Sequence, residues 1–156
     1  MTVLSTVPRY HTIRCKGVVL GQRDSILVDG GATHNFIDEY MVNKRNIPIE
    51  PFDGFIVVIL GHNTMQCKTW VPKLQVTVGN YTFVDSFYVV DVADTNVVLG
   101  VQWLYYIGEN IVNNQIPEMI FQDSKGVLRA VRGKHTYPNQ VVTCNSMRYI
   151  LSNGDI

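Results

Sequence analysis

Along much of its length the chain alternates apolar and polar positions with a period of two, and clusters of Gly, Asn, Asp and Ser interrupt the alternation. Residues 10–20 carry Ile13, Cys15 and Gly17 between polar Thr12, Arg14 and Lys16, which predicts a strand with one wet face. Gly21-Gln22-Arg23-Asp24 supplies a turn, and residues 25–28 return as a strand that ends on Asp29. Beyond Gly30 and Gly31 the period changes. Phe36, Ile37, Tyr40 and Met41 fall on one helical face, with Thr33 or Asn35 as the cap and Pro48 past the end. A second hairpin joins the β-branched run 55–60 to residues 65–71 across Gly61-His62-Asn63-Thr64. Leu74, Val76 and Val78 then alternate, Gly79-Asn80 turns the chain, and residues 81–90 return as a long aromatic and β-branched strand. Residues 96–100 read as a short buried strand and residues 101–107 as a short helix stopped by Gly108. Residues 119–122 and 127–131 flank Asp123-Ser124-Lys125-Gly126 as a further hairpin; residues 133–140 turn polar, and 146–151 are expected to form a last short helix.

Many short strands with few helices make the fold class mainly β, an all-β barrel or closed sandwich of roughly seven to ten strands. The chain has 156 residues, 46% of them hydrophobic, enough for one core and too few for two ordinary domains. Its 13 Lys and Arg balance 13 Asp and Glu without a block of either sign, which argues against nucleic acid as a partner. Cys15, Cys67 and Cys144 are odd in number and form no CxxC pair, which argues against a disulfide framework and a zinc site, and the compartment reads as reducing and intracellular; no cofactor is expected. No apolar run approaches the roughly 18 residues of a membrane span, and the N-terminus lacks the layout of a secretory signal.

Two features then change the picture. Asp29 stands at the end of an apolar strand with two glycines behind it, in Ile26-Leu27-Val28-Asp29-Gly30-Gly31-Ala32-Thr33-His34-Asn35-Phe36-Ile37. It is either a turn residue, because Asp bonds nearby amides, or a reagent. Far along the chain, Val97-Val98-Leu99-Gly100 offers an apolar segment whose Gly lets a second backbone approach closely. Together with Asp94-Thr95-Asn96 and Val101-Gln102-Trp103-Leu104, these segments resemble the protease segment of Pol polyproteins from gypsy-type LTR retrotransposons, especially plant ones. That is the retropepsin-like family, and the resemblance covers about residues 10–132. Residues 145–155 also resemble the stretch that leads towards the reverse transcriptase.

The resemblance implies a closed β-barrel of the acid-protease type, one lobe per chain, with residues 1–9 and 133–156 as flanks. It implies an aspartic endopeptidase acting on a Gag-Pol polyprotein, in the cytoplasm or within virus-like particles. Two Asp carboxylates would face each other across a water, one proton shared between them. Asp53-Gly54 is the nearest rival for a second carboxylate, but Pro51 and Phe52 precede it, so the chain supplies one Asp and the site requires a homodimer around Asp29. Gly30, Gly31, Ala32 and Thr33 would form the active-site loop, Val98, Leu99 and Gly100 the segment packed on it, and Gly61, His62, Asn63 and Thr64 a flap over the peptide. The common motif has Ser or Thr after the Asp, whose hydroxyl links the two loops across the dimer; Gly30 stands there and makes no such bond. Thr33 either bonds Asp29 or caps the following helix.

Other candidates have plainer readings. His34, His11 and His135 lack a nucleophile in any familiar pattern and suit surface or cap positions. Trp70, Trp103, Tyr105 and Tyr106 line a cleft or fill the core, and Cys15 is structural. Three functions follow: an active aspartic endopeptidase, a retropepsin-like dimerisation or peptide-binding module without efficient activity, and an unrelated β-barrel binding protein in which Asp29 only turns the chain.

Overall fold

The computed structural model describes residues 12–59, 63–92, 94–113, 115–135 and 150–151. The first hairpin pairs β1 (Thr12–Val19) with β2 (Gln22–Asp29) in unbroken register from Thr12 opposite Asp29 to Val19 opposite Gln22. The expected four-residue turn is therefore shorter, and lies one position earlier. Leu20 and Gly21 alone make it, both with positive φ (50° and 80°), the two-residue geometry whose twist suits a hairpin. Leu20 is 56% exposed and holds a left-handed conformation that an L side chain resists. Leu20→Asn is expected to raise stability by about 0.5–1 kcal/mol, measured as a higher urea midpoint at unchanged m-value.

The helix expected to begin near Phe36 does not. Phe36 and Ile37 form β3 (Phe36–Asp38), and only then does α1 (Glu39–Lys44) start. Both side chains are fully buried, and β3 lies between two other strands, so burial on both faces erases the alternation that marks a strand. Neither Thr33 nor Asn35 caps α1; Asp38 holds the cap position, and its Oδ1 accepts from Val92 N–H (3.1 Å). At the far end of α1, Arg45 forms a two-pronged ion pair with buried Asp24 on β2, at 2.8 and 2.5 Å.

Next come β4 (Glu50–Ile59) and β5 (Asn63–Val78), the latter a single 16-residue strand where two were expected. Pro72 lies inside it, within a register shift against the next strand, β6 (Tyr81–Val90), between Val71 and Leu74. Up to Trp70, β5 pairs with β4 as an arm; it pairs with β6 on both sides of the shift, and beyond it with β1 as well, as a barrel wall. The chain continues through β7 (Val97–Leu99) and α2 (Val101–Ile107), as expected. Then β8 (Asn110–Asn113), β9 (Glu118–Gln122) and β10 (Leu128–Arg132) form a separate small sheet. Two short strands follow: β11 (Lys134–His135) pairs with β1, and β12 (Ile150–Leu151) pairs with β4, so the expected final helix is extended chain at those two residues.

The pairings run β1, β2, β7, β3, β6, β5 and back to β1, where residues 17–19 meet residues 76–78. That ring is a mainly β barrel. Two of its contacts, β2 with β7 and β3 with β6, are parallel, while β7 and β3 run antiparallel. The main core fills the barrel and continues under α2, where Trp103 meets Phe83 and Phe121 at centroid distances of 5.6 and 5.9 Å. A second core of Ala32, Phe36, Val57, Cys67, Val90, Val92 and Val98 joins the Asp29 loop to the β4–β5 arm.

Candidate active site

Asp29 is the last residue of β2, and the strand carries its carboxylate into the interior, 2% exposed. Its Oδ1 accepts from Gly31 N–H (2.8 Å), and its main-chain oxygen accepts from Ala32 N–H (3.1 Å), so the loop folds tightly back on the acid. A turn Asp would make the same short-range bonds. Burial is what sets this one apart, since an acid at an ordinary turn keeps its carboxylate in water.

The two segments singled out in the sequence come together. Val98 pairs with Leu27 and Phe36, Leu99 pairs with Val28, and both are buried. Gly100 then lies directly under the loop: a Cβ there would overlap His34 O and sit 2.6 Å from Ala32 O. The next amide, Val101 N–H, donates to Ala32 O (2.8 Å).

Behind the loop is a polar network that the sequence reading passed over. Asn35, fully buried, accepts Gly100 N–H on Oδ1 (3.1 Å) and donates through Nδ2 to Asp85 Oδ2 (3.0 Å) and Ser86 O (3.3 Å). Asn35 N–H donates to Gln102 Oε1 (3.0 Å), and Gln102 Nε2 donates to Asp85 Oδ1 (2.9 Å). Two amides and a carboxylate thus clamp the loop to β6 and to the start of α2. The available signal was a Gln between Val101 and Trp103 and an Asn before Phe36, polar residues in apolar runs that must find partners once buried.

A sequence profile described as retroviral aspartyl protease matches residues 9–125. The chain belongs to this family. Its fold is similar to that of the crystal structure of the retroviral protease-like domain of Ddi1 from Leishmania major, with a TM-score of 0.54 over 93% of this chain and 98% of that one. The identity is 9%, so that likeness concerns the fold alone. No curated protein matches the chain.

Within this retroviral aspartyl protease fold the remaining expected residues fall as follows. Gly30, Gly31 and Thr33 are half-buried and Ala32 is fully buried in the second core. Gly61 and His62 of the expected flap lie outside the described residues; Asn63 opens β5 opposite Ile59, and exposed Thr64 pairs with Val58. Thr33 Oγ1 lies 2.8 Å from His34 Nδ1. His34 is not a surface residue: its half-buried ring packs against Phe55 and Tyr88, at centroid distances of 5.7 and 5.4 Å, and burial lowers its pKa, which favours the neutral ring. Phe52 and Trp70 extend that cluster, so Trp70 serves the arm, while Trp103 is core and Tyr105 and Tyr106 are exposed. Burial pushes the Cys15 thiol up to about 11, which suits a structural and unreactive sulfur. Among the described residues no group of three or more His, Cys, Asp or Glu side chains could hold a metal ion.

Proposed function

We propose that the chain is one half of an aspartic endopeptidase, active as a homodimer on its own Gag-Pol polyprotein, with residues 10–132 as the protease lobe. The observation that carries this is Asp29, a buried carboxylate held at the end of β2 by a glycine loop in a chain of the retroviral aspartyl protease family. One lobe provides one such acid, and two-fold symmetry would bring its twin opposite. Two carboxylates that share one water would not both ionise, so one would accept a proton from the attacking water while the other donates to the carbonyl oxygen of the peptide. No covalent acyl intermediate forms. An extended peptide would be gripped through backbone bonds as an added strand.

The test is a peptidase assay across pH from about 3 to 7 with a statine-type inhibitor, alongside sedimentation. Inhibitor-sensitive hydrolysis that scales with the dimer fraction is expected. Full activity from a purely monomeric chain would sink the shared site.

Gly30 favours a second reading, a dimerising or peptide-binding module with little activity, because it supplies no hydroxyl to link two loops. Gly30→Ser restores that group in both subunits. With one such bond from each subunit at about 1 kcal/mol per net hydrogen bond, the dimer Kd is expected to fall roughly thirtyfold, read by sedimentation equilibrium. Unchanged self-association would remove the argument from Gly30.

A further inference from the structure

Asn35 carries its polar groups into the interior, and its backbone is held as firmly as its side chain. Its N–H donates to Gln102 Oε1, its main-chain oxygen accepts from Tyr88 N–H (3.0 Å), and its Oδ1 accepts from Gly100 N–H. These partners decide which way round each amide lies. A backbone N–H can only donate, so Asn35 Oδ1 must face Gly100 and Gln102 Oε1 must face Asn35. The NH2 groups of Asn35 and Gln102 are thereby both turned towards β6. Ser86 O accepts from each of them, at 3.3 and 3.1 Å, and the Asp85 carboxylate accepts from each with a separate oxygen. Its Oδ1 also takes Ser86 N–H (2.8 Å). An ionised carboxylate accepts at both oxygens and donates at neither, which no amide of the same shape can do. The segment between Asp29 and Asn35 is thus anchored at its far end by a network whose direction is set from β6.

We propose that Asp85 is a positioning residue for Asp29: by accepting from both NH2 groups it fixes the direction of the network and, through Asn35 and Gly100, the seat of the loop that aims the acid. Its effect on turnover rests on the peptidase reading; its hold on the loop does not. In Asp85→Asn the shape is kept and one acceptor survives, but the new NH2 faces a donor. Turning Asn35 over relieves that clash only by presenting its NH2 to Gly100 N–H, so one buried donor opposes another whichever way the amides lie. Moving the carboxylate across the contact repairs the fault. With Asn35→Asp and Asp85→Asn together, the acid at position 35 accepts from Gly100 N–H and from the amide at position 85. The oxygen of that amide still accepts from Gln102 Nε2 and Ser86 N–H, and the 3.3 Å bond to Ser86 O is the one given up.

The experiment compares native-state hydrogen exchange in the full chain for wild type, Asp85→Asn, Asn35→Asp and the double variant. The amides of Gly31 and Ala32, which close the loop on Asp29, are the report, and those of β9 in the small sheet register global opening. Relative to β9, exchange at Gly31 and Ala32 is expected to rise about tenfold or more in each single variant, the scale of one opposed buried donor. In the double variant it should return to within about threefold of wild type, a strong departure from additivity. With hydrolysis measurable, kcat should fall about tenfold in Asp85→Asn, with KM within about twofold, and recover in the double variant. Loop exchange that rises no more than that of β9 would make Asp85 a general stability contact and overturn the positioning role. A double variant no better than its parents, or an unchanged kcat beside a loosened loop, would overturn it too. Absence of hydrolysis in all four proteins, with exchange as expected, would fault the peptidase reading and leave the hold on the loop standing. Should a single variant not fold, a folded double variant with Gly31 and Ala32 protected is the expected rescue, and an unfolded one overturns the proposal.

Discussion

Asp29→Asn is expected to abolish peptide hydrolysis while leaving the fold in place. Asn has the shape of Asp, and its side-chain oxygen can still accept from Gly31 N–H, so the loop keeps its internal bond. What disappears is the ability to take and return a proton. General acid–base catalysis contributes about 10²–10⁴-fold, and both partners of a symmetric pair would be lost at once, so a drop of at least about 10³-fold in kcat is expected. Thermal stability should hold or rise, because a buried charge costs free energy and the amide carries none. Mixing gives a sharper result. In an equal mixture of wild type and Asp29→Asn subunits that exchange freely, about one quarter of the dimers keep both acids, whereas independent lobes would keep about one half of the activity. Activity that survives intact in the variant would exclude the aspartic mechanism.

Gly100→Ala should damage fold and activity together. A Cβ at this position overlaps the His34 carbonyl oxygen and crowds that of Ala32, and both are backbone atoms that cannot turn aside. Relief requires the loop to lift from β7, which would stretch the bond from Val101 N–H to Ala32 O and the bond from Gly100 N–H to Asn35 Oδ1. Overpacking at such a contact costs about 3 kcal/mol, a large share of the stability of a small domain. The measurement is a urea midpoint together with kcat on the folded fraction. Val101→Ala, one residue on and 45% exposed, is the control and should change neither by much. A Gly100→Ala protein as stable and active as wild type would show that loop and strand do not press on each other as described.

The parts of this fold legible in the sequence are those whose cause is local. Gly79-Asn80, Asp123-Ser124-Lys125-Gly126 and the helix at residues 101–107 each carry their turn or stop signal within a few residues, and each forms where expected. The pairing of Asp29 with Gly100 was also legible, because an acid in a glycine loop and an apolar run ending in Gly are chemically distinctive even when far apart. Phe36 and Ile37 were misread because a three-residue strand buried on both faces has no period, and Tyr40 and Met41 extended a false helical one. The union of two expected strands into β5 was hidden by Pro72, an ordinary strand breaker that a register shift accommodates here. Asn35, Asp85 and Gln102 form their network across separations of 50 and 67 residues along the chain, and no local pattern announces a partner so distant.

The order of strands in the ring has a consequence for how the chain acquires its shape. β2 and β3 are neighbours in sequence, yet in the barrel β7 stands between them, and it is made only after β4, β5 and β6. Until Val97, Val98 and Leu99 arrive, the apolar edges on either side of that gap have nothing to pair with, and the seat of Asp29 does not exist. Non-local closure of this kind is slow and exposes strand edges while it waits. The last strand to enter the ring is also the one that builds the floor of the candidate site, so a half-folded chain holds a carboxylate but no means of aiming it.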